Sequence, residues 1–267
     1  MMKNISMLWL FFSLLFLGSC FYIRVEYPPE TMRTPMEEFH ENVPLPPGST
    51  LSLENGSGNI EIHGWEKEEL EVYAEKMIQF PDKTKLYVFP RRDFGPGIVF
   101  DKFENYVKIR TKNVNEEKAA GYVDYFIDAP HSINLKDIVL GKGNIHISEL
   151  YGDAYVDLME GEITVENFSG SLTASTVQGS VYASLFDLRE QDEVVITTKE
   201  GNITLTLQEN ASAHLVAAFP EGEISSEFDL EIIPEDNQVD IQWGEKRPLI
   251  SLTALRGNIT IKKTSRD

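Results

Sequence analysis

Glycines recur every nine residues through the middle of this chain, at Gly143, Gly152, Gly161, Gly170 and Gly179. No other feature narrows the fold as much. Further members follow at looser spacing, Gly201, Gly222 and Gly257, and an isolated one stands earlier at Gly58. Two and four positions after each glycine come apolar residues: Ile145 and Ile147, Ala154 and Val156, Ile163 and Val165, Leu172 and Ala174, Val181 and Ala183. The later members give Ile203 and Leu205, then Ile259 and Ile261, and Gly58 gives Ile60 and Ile62. Gly222 alone departs, with Ile224 and then Ser226.

Alternation of period two is the signature of a strand with one face in and one face out. Glycine with Asn, Asp, Glu or Ser beside it marks a corner that needs positive φ or a tight bend. One unit of nine residues therefore holds one strand and one corner. Two units make a coil of ~18 residues, the size of a small solenoid turn. The expected fold is all-β: a right-handed parallel β-helix or β-solenoid with coils of ~18–22 residues. A β-sandwich is the alternative, since an up-and-down meander also uses strands of this length. Hairpin dipeptides are scarce, and Asn55-Gly56 lies outside the repeat.

The N-terminal half is less regular. Strands are expected at Leu51–Leu53, Leu70–Tyr73, Leu86–Phe89, Tyr106–Ile109 and Tyr122–Ile127, joined by longer loops. Glu66 to Lys76 reads either as a helix or, through Leu70–Ala74, as a strand. Arg91 to Gly97 is an exposed-loop candidate. The chain divides into residues 1–19, 20–42, 43–130 and 131–267, with a soft boundary near Ala129-Pro130.

The start of the chain carries a different signal. Lys3 precedes an apolar run from Ile5 to Leu17. Such a run reaches about 20 Å as a helix, short of a ~30 Å bilayer core, and so reads as a signal peptide. It ends in Leu17-Gly18-Ser19-Cys20, and Cys20 is the only cysteine. This resembles the lipobox of bacterial lipoproteins, in which the cysteine becomes the acylated N-terminus. The alternatives are a signal peptide with an incidental cysteine and an uncleaved anchor. The resemblance implies lipidation at Cys20, with each buried acyl CH₂ contributing ~0.8 kcal/mol of membrane hold. Phe21 follows the cysteine. The same resemblance to lipoproteins, whose retention in the inner membrane of double-membraned bacteria uses Asp there, implies the outer membrane if the organism has one. Polar, proline-bearing residues to about Asn42 read as a tether whose end, near Phe39, approaches the first strand.

Formal net charge is −19, and loss of the first nineteen residues removes one lysine and no acid. Such a chain repels nucleic acid and anionic headgroups. A lone cysteine excludes an intramolecular disulfide and a multi-cysteine zinc site. The dinucleotide, P-loop and G-x-S-x-G spacings are missing. Histidines are scattered, and His146 falls on an outward position as a solvated residue. Carboxylates are the remaining reactive groups. Asp153 and Asp157 alternate with Tyr155 and face outward together, a weak cation or sugar site whose bland counterpart is a solvated acidic face. Tyr182, 27 residues beyond Tyr155, falls on the opposite face of a two-unit coil. No cofactor or metal is expected.

The string VPLPPGSTLSLENGSGNIEIHGWEKEELEV from Val43 resembles the opening of a bacterial β-strand-repeat family catalogued as putative adhesins of unknown function. The matching elements are the lead Pro46-Pro47-Gly48, the corner Gly58-Asn59-Ile60 and the pair Gly64-Trp65. Later matches are Gly143-Asn144-Ile145, Gly201-Asn202-Ile203 and Gly257-Asn258-Ile259, so the resemblance runs from Val43 to Lys262. It implies a β-helix-like fold outside the cytoplasm. The expected function is a lipid-anchored, non-catalytic envelope protein used for adhesion or scaffolding, with an envelope protein or polysaccharide as partner and no nucleic acid. The competing readings are a glycan-acting β-helix enzyme and an envelope-stress accessory factor.

Overall fold

The computed structural model describes residues 22–24, 35–79, 88–90, 96–112, 120–232, 235–245 and 248–264. All regular elements among them are strands: β1 (Tyr22–Arg24), β2 (Pro35–Pro44), β3 (Thr50–Ser57), β4 (Ile60–Trp65), β5 (Glu69–Gln79), β6 (Val88–Pro90), β7 (Gly97–Lys102) and β8 (Tyr106–Lys112). They continue with β9 (Ala120–Pro130), β10 (Asn134–Lys142), β11 (Ile145–Ser148), β12 (Ala154–Glu160), β13 (Ile163–Phe168), β14 (Leu172–Gln178), β15 (Val181–Leu185) and β16 (Glu193–Glu200). The last are β17 (Ile203–Gln208), β18 (Ala213–Ala218), β19 (Ile224–Ser226), β20 (Gln238–Trp243), β21 (Leu249–Arg256) and β22 (Ile259–Thr264). The stretch that reads as helix or strand is the strand β5, and most of the Arg91–Gly97 loop lies outside the described residues.

The nine-residue units alternate between two ten-stranded sheets. Sheet I runs β20-β18-β21-β16-β14-β12-β10-β3-β8-β7, and sheet II runs β19-β22-β17-β15-β13-β11-β4-β9-β5-β2. From β10 to β17, strands adjacent in sequence thus fall in different sheets, and strands two apart pair in parallel. In a meander, neighbours in sequence would pair within one sheet. Corner contacts between successive rungs are 18 residues apart through Asn144 and Glu162, and 22 apart at Ser180 and Asn202. The longer step accommodates the loop that carries Leu188, Arg189 and Asp192.

The apolar residue of each unit enters one ladder. Tyr125, Ile60, Ile145, Ile163, Val181, Ile203, Ile259 and Ile224 follow one another across sheet II. Leu51, Leu135, Ala154, Leu172, Val194, Ile250 and Leu215 do the same in sheet I. These inward side chains belong to a single buried core between the sheets, and all but Ile224 are buried. Burying a Leu, Ile or Val side chain contributes roughly 1.5–3 kcal/mol, so the ladders are the main source of cohesion.

Spatial order departs from sequence order at both ends. Gly58, isolated in the sequence, is the direct neighbour of Gly143: the amide of Asn144 donates to Oδ1 of Asn59, 85 residues earlier. At the other end β21 and β22 insert between β16–β17 and β18–β19, so Gly257 precedes Gly222 in the stack. Gly222 therefore opens the outermost rung of sheet II. There the departing Ser226 faces no partner strand beyond it, and its hydroxyl accepts from the amide of Phe228. Both ends are closed by antiparallel strands, β5 with β2 and β7 with β8 at one end, β20 with β18 at the other. Phe39 and Phe100 meet over the first end with centroids 6.2 Å apart, and Phe228 and Trp243 meet at 5.7 Å over the second. The parallel arrangement expected for the regular half, residues 131–267, holds through the middle of the stack and takes in β3, β4, β8 and β9 of the less regular half. It gives way to antiparallel caps at both ends, which shield apolar ends that a bare parallel stack would expose.

At the corners that enter sheet II glycine takes the positive φ, as at Gly58, Gly143, Gly161, Gly179, Gly201 and Gly257, whereas Glu149, Asn167 and Asp187 take it at corners on the other side. Gly161 has φ +136°, and a Cβ there would lie 1.7 Å from the carbonyl oxygen of Gly143. The neighbouring Asn, Asp and Ser do something other than relieve φ. Their side chains accept hydrogen bonds from the backbone of the next rung: Asn144 from Glu162, Ser180 from Asn202, Asn202 from Asn258, and Asn258 from Glu223. This satisfies amides at bends where the strand ladder is interrupted.

Candidate interaction surfaces

Residues between the inward ones point outward in rows across each sheet. On sheet I one row contains Tyr155, Thr173, Val195, Ser251 and Val216, and a second contains Val139, Asp157, Ser175, Thr197, Thr253 and Ala218. In a third, the register sets Met159 beside Val177, Val177 beside Lys199 and Lys199 beside Leu255. Met159, Val177 and Leu255 are 64%, 45% and 42% exposed, unusual for a solvated strand row. At its rim, ion pairs join Lys142 to Glu160 and Arg256 to Glu200.

Sheet I holds three of the sequence-derived contact residues. Tyr155 stands outward on β12, half exposed. Asp157 is outward on the same strand and accepts a 2.7 Å hydrogen bond from the hydroxyl of Ser175. Asp153 sits at the corner before β12, where Oδ1 accepts from the amide of Ser171 at 3.1 Å. Its role is shared with Asn134, whose Oδ1 accepts from the amide of Asp153 one rung earlier. Tyr182 lies on β15 of sheet II, so the two tyrosines occupy different sheets.

Sheet II is the more acidic face. Its outward rows carry Phe126, Glu61, His146, Thr164, Tyr182, Thr204 and Thr260, then Asp128, His63, Ser148, Glu166, Ser184, Thr206 and Lys262. His146 lies 3.2 Å from Glu166, and His40 lies 3.0 Å from Glu71. These solvated pairs each contribute about 0–1 kcal/mol.

The buried ionisable groups serve packing. Asp192 is buried in the corner loop, where its carboxylate accepts from the amide and guanidinium of Arg189. That carboxylate raises the guanidinium further above its ordinary range. Tyr125, fully buried in sheet II, has its phenol pushed up to about 12 by burial, and its hydroxyl lies 2.8 Å from Oγ1 of Thr111. Tyr73 rises to about 12 through its hydrogen bond to Glu75. Among the described residues no group of three or more His, Asp or Glu side chains is placed to hold a metal ion. Cys20 lies outside the described residues.

The features missed by sequence reading are the apolar third row of sheet I and the corner hydrogen-bond ladder. The first could have been sought, because Met159 and Val177 occupy the same offset from Gly152 and Gly170. The second had its signal in the Asn after each of Gly58, Gly143, Gly201 and Gly257.

Comparison with known proteins follows the same lines. A putative cell adhesion protein from Clostridium sporogenes superposes with a TM-score of 0.50 at 14% identity, covering 85% of this chain and 100% of that one, a likeness of fold. A putative adhesin from Bacteroides fragilis gives a TM-score of 0.29 at 13% identity, over 86% of this chain and 98% of its own. A putative lipid binding protein from Parabacteroides distasonis gives 0.25 at 9% identity, over 85% and 98%. No curated protein matches. The sequence profile of the Toastrack DUF4097 family matches residues 42–262, almost the span of the adhesin-family resemblance read from Val43 to Lys262. The chain belongs to the Toastrack DUF4097 family.

Proposed function

We propose that this protein is an envelope lipoprotein, held to a membrane by acylated Cys20, whose β body is a non-catalytic surface for adhesion or scaffolding. The observation that carries the reading is the sequence Leu17-Gly18-Ser19-Cys20, which ends an apolar run and contains the chain's only cysteine. Its body fits a right-handed β-solenoid. Parallel strands of one sheet are joined through a strand of the other, and such crossovers are right-handed in about 98% of cases. Of the outward residues read as contacts, Tyr155, Asp157 and the corner Asp153 lie on the side of sheet I and Tyr182 on sheet II, and the sheet II face would meet an envelope protein or polysaccharide. A net charge of −19 keeps the body itself off anionic headgroups, so the lipid is its hold on the membrane. Where the organism has an outer membrane, that is the expected address.

The test is fractionation of cells that express wild type or Cys20→Ala. Wild type should remain with membranes through a high-salt and carbonate wash, and the variant should be released. Retention of Cys20→Ala after that wash would refute the lipid anchor.

A further inference from the structure

The outward faces differ in a way that bears on self-association. Across sheet I, from β3 to β18, the outward charges are Glu54, Lys136, Asp137, Asp157, Glu193 and Lys199, with Lys108 of β8 paired to Glu54. Four acids thus stand against three cations, close to balance on a chain whose net charge is −19. The rim pairs Lys142–Glu160 and Arg256–Glu200 keep the balance. Five of the nine exposed large hydrophobic side chains among the described residues are here: Tyr155, Met159, Val177, Val216 and Leu255.

We propose that this outer face of sheet I is the surface through which two copies of the chain associate, sheet against sheet. Two bodies with a net charge near −19 repel over most approaches, and the nearly balanced face is where contact costs least. The area is adequate. Seven strands ~4.8 Å apart and three outward positions ~6.8 Å apart give about 700 Å². A standard interface buries about 800 Å² per partner. Flat β faces pack ~10 Å apart, and the Thr, Ser and Val side chains of β14, β16 and β21 are short enough for that spacing. Exposed Met159, Val177 and Leu255 would supply the apolar contact, with Lys199 among them as the cation for a facing acid.

The full chain, extracted in mild detergent, is followed by sedimentation velocity over a range of concentrations. The expected result is a protein mass twice that of one chain. Val177→Asp should reduce it to one chain, while Thr206→Asp on the outer face of sheet II leaves the doubled mass. Circular dichroism checks that each variant is folded. A second arm does not depend on a disruptive change: Val177→Cys should form a disulfide-linked dimer under mild oxidation, and Thr206→Cys and wild type should not. A single-chain mass at every concentration overturns the proposal, as does a dimer indifferent to Val177→Asp and not captured by Val177→Cys. Vesicles of neutral phosphatidylcholine form the last arm. A single-chain protein that binds them in a Val177-dependent way would assign the face to lipid and overturn the proposal too.

Discussion

Replacing Gly161 with alanine tests whether the glycine corners are a steric requirement of the stack. The new Cβ would lie 1.7 Å from the carbonyl oxygen of Gly143 and 2.7 Å from its carbon, both backbone atoms that no rotamer change can move. Relief to an ordinary contact opens the corner by about 1.7 Å, taking a carbon–oxygen contact of about 3.4 Å as the target. That opening breaks or stretches three neighbouring hydrogen bonds: Gly143 N to Glu160 O, Ile145 N to Glu162 O, and Glu162 N to Asn144 Oδ1. At about 1 kcal/mol each these cost about 3 kcal/mol. The φ of +136° adds about 1–3 kcal/mol for a residue with a Cβ. A loss of about 4–6 kcal/mol is expected, a large share of a total stability of roughly 5–15 kcal/mol. In a thermal melt this corresponds to a fall of about 10–20 °C in Tm. Gly48→Ala is the control: its φ of +78° is strained, but nothing lies within 4 Å of the new Cβ, and about 1 kcal/mol is expected. If Gly161→Ala melts within a degree or two of wild type, or loses no more than Gly48→Ala, the steric account of the corners is wrong.

Other perturbations separate packing from surface. Phe168, 1% exposed, fills the core at the end of β13, and Phe168→Ala should cost about 3–5 kcal/mol in urea unfolding, with a loss under 1 kcal/mol counting against a close-packed core. Tyr73 and Tyr125 should ionise only near pH 12 in an alkaline absorbance titration, because both phenols are raised to about 12. For buried Tyr125 the folded value lies above the unfolded one of 10.0, so its contribution of roughly 3 kcal/mol is fully present below pH 10 and is lost as pH rises towards 12. Tyr125→Phe should flatten that stretch of the stability curve, and an unchanged slope would contradict the assignment. Asn144→Ala removes the acceptor for the amide of Glu162 at a solvent-exposed corner, and a loss of about 1 kcal/mol is expected; a loss as large as that of Gly161→Ala would mean the two residues do not divide the corner as described.

Much of the fold was legible because the repeat is local. Period-two alternation after each glycine placed β11 to β15, β17 and even the distant β4 and β22, since each strand needs its apolar face whatever its neighbour is. β16 follows a loop without a glycine and did not show in the repeat. The order of rungs was not legible. Gly58 and Gly257 carry the same Gly-Asn-Ile string as Gly143 and Gly201, so identical local chemistry could not say that β4 lies beside β11 or that β22 precedes β19 in the stack. That order follows from how the antiparallel caps bury Phe39, Phe100, Phe228 and Trp243, a long-range condition with no short motif. Of the surface residues, the outward placement of Tyr155, Asp157 and Tyr182 followed from strand parity. Asp153 reads from parity as a surface acid, yet it accepts a hydrogen bond from the next rung, as Asn144 does at the other corner. The charge balance of sheet I was invisible because it depends on which rows share a face.

The central claim is that the acidic β body is tied to its membrane through one modified residue. Intact and N-terminal peptide mass spectrometry of the protein purified from membranes tests it most directly. The account predicts a mature chain that begins at Cys20, with residues 1–19 removed and the added mass of acyl groups on the cysteine. A chain that keeps residues 1–19, or one cleaved elsewhere with an unmodified Cys20 thiol, would contradict it.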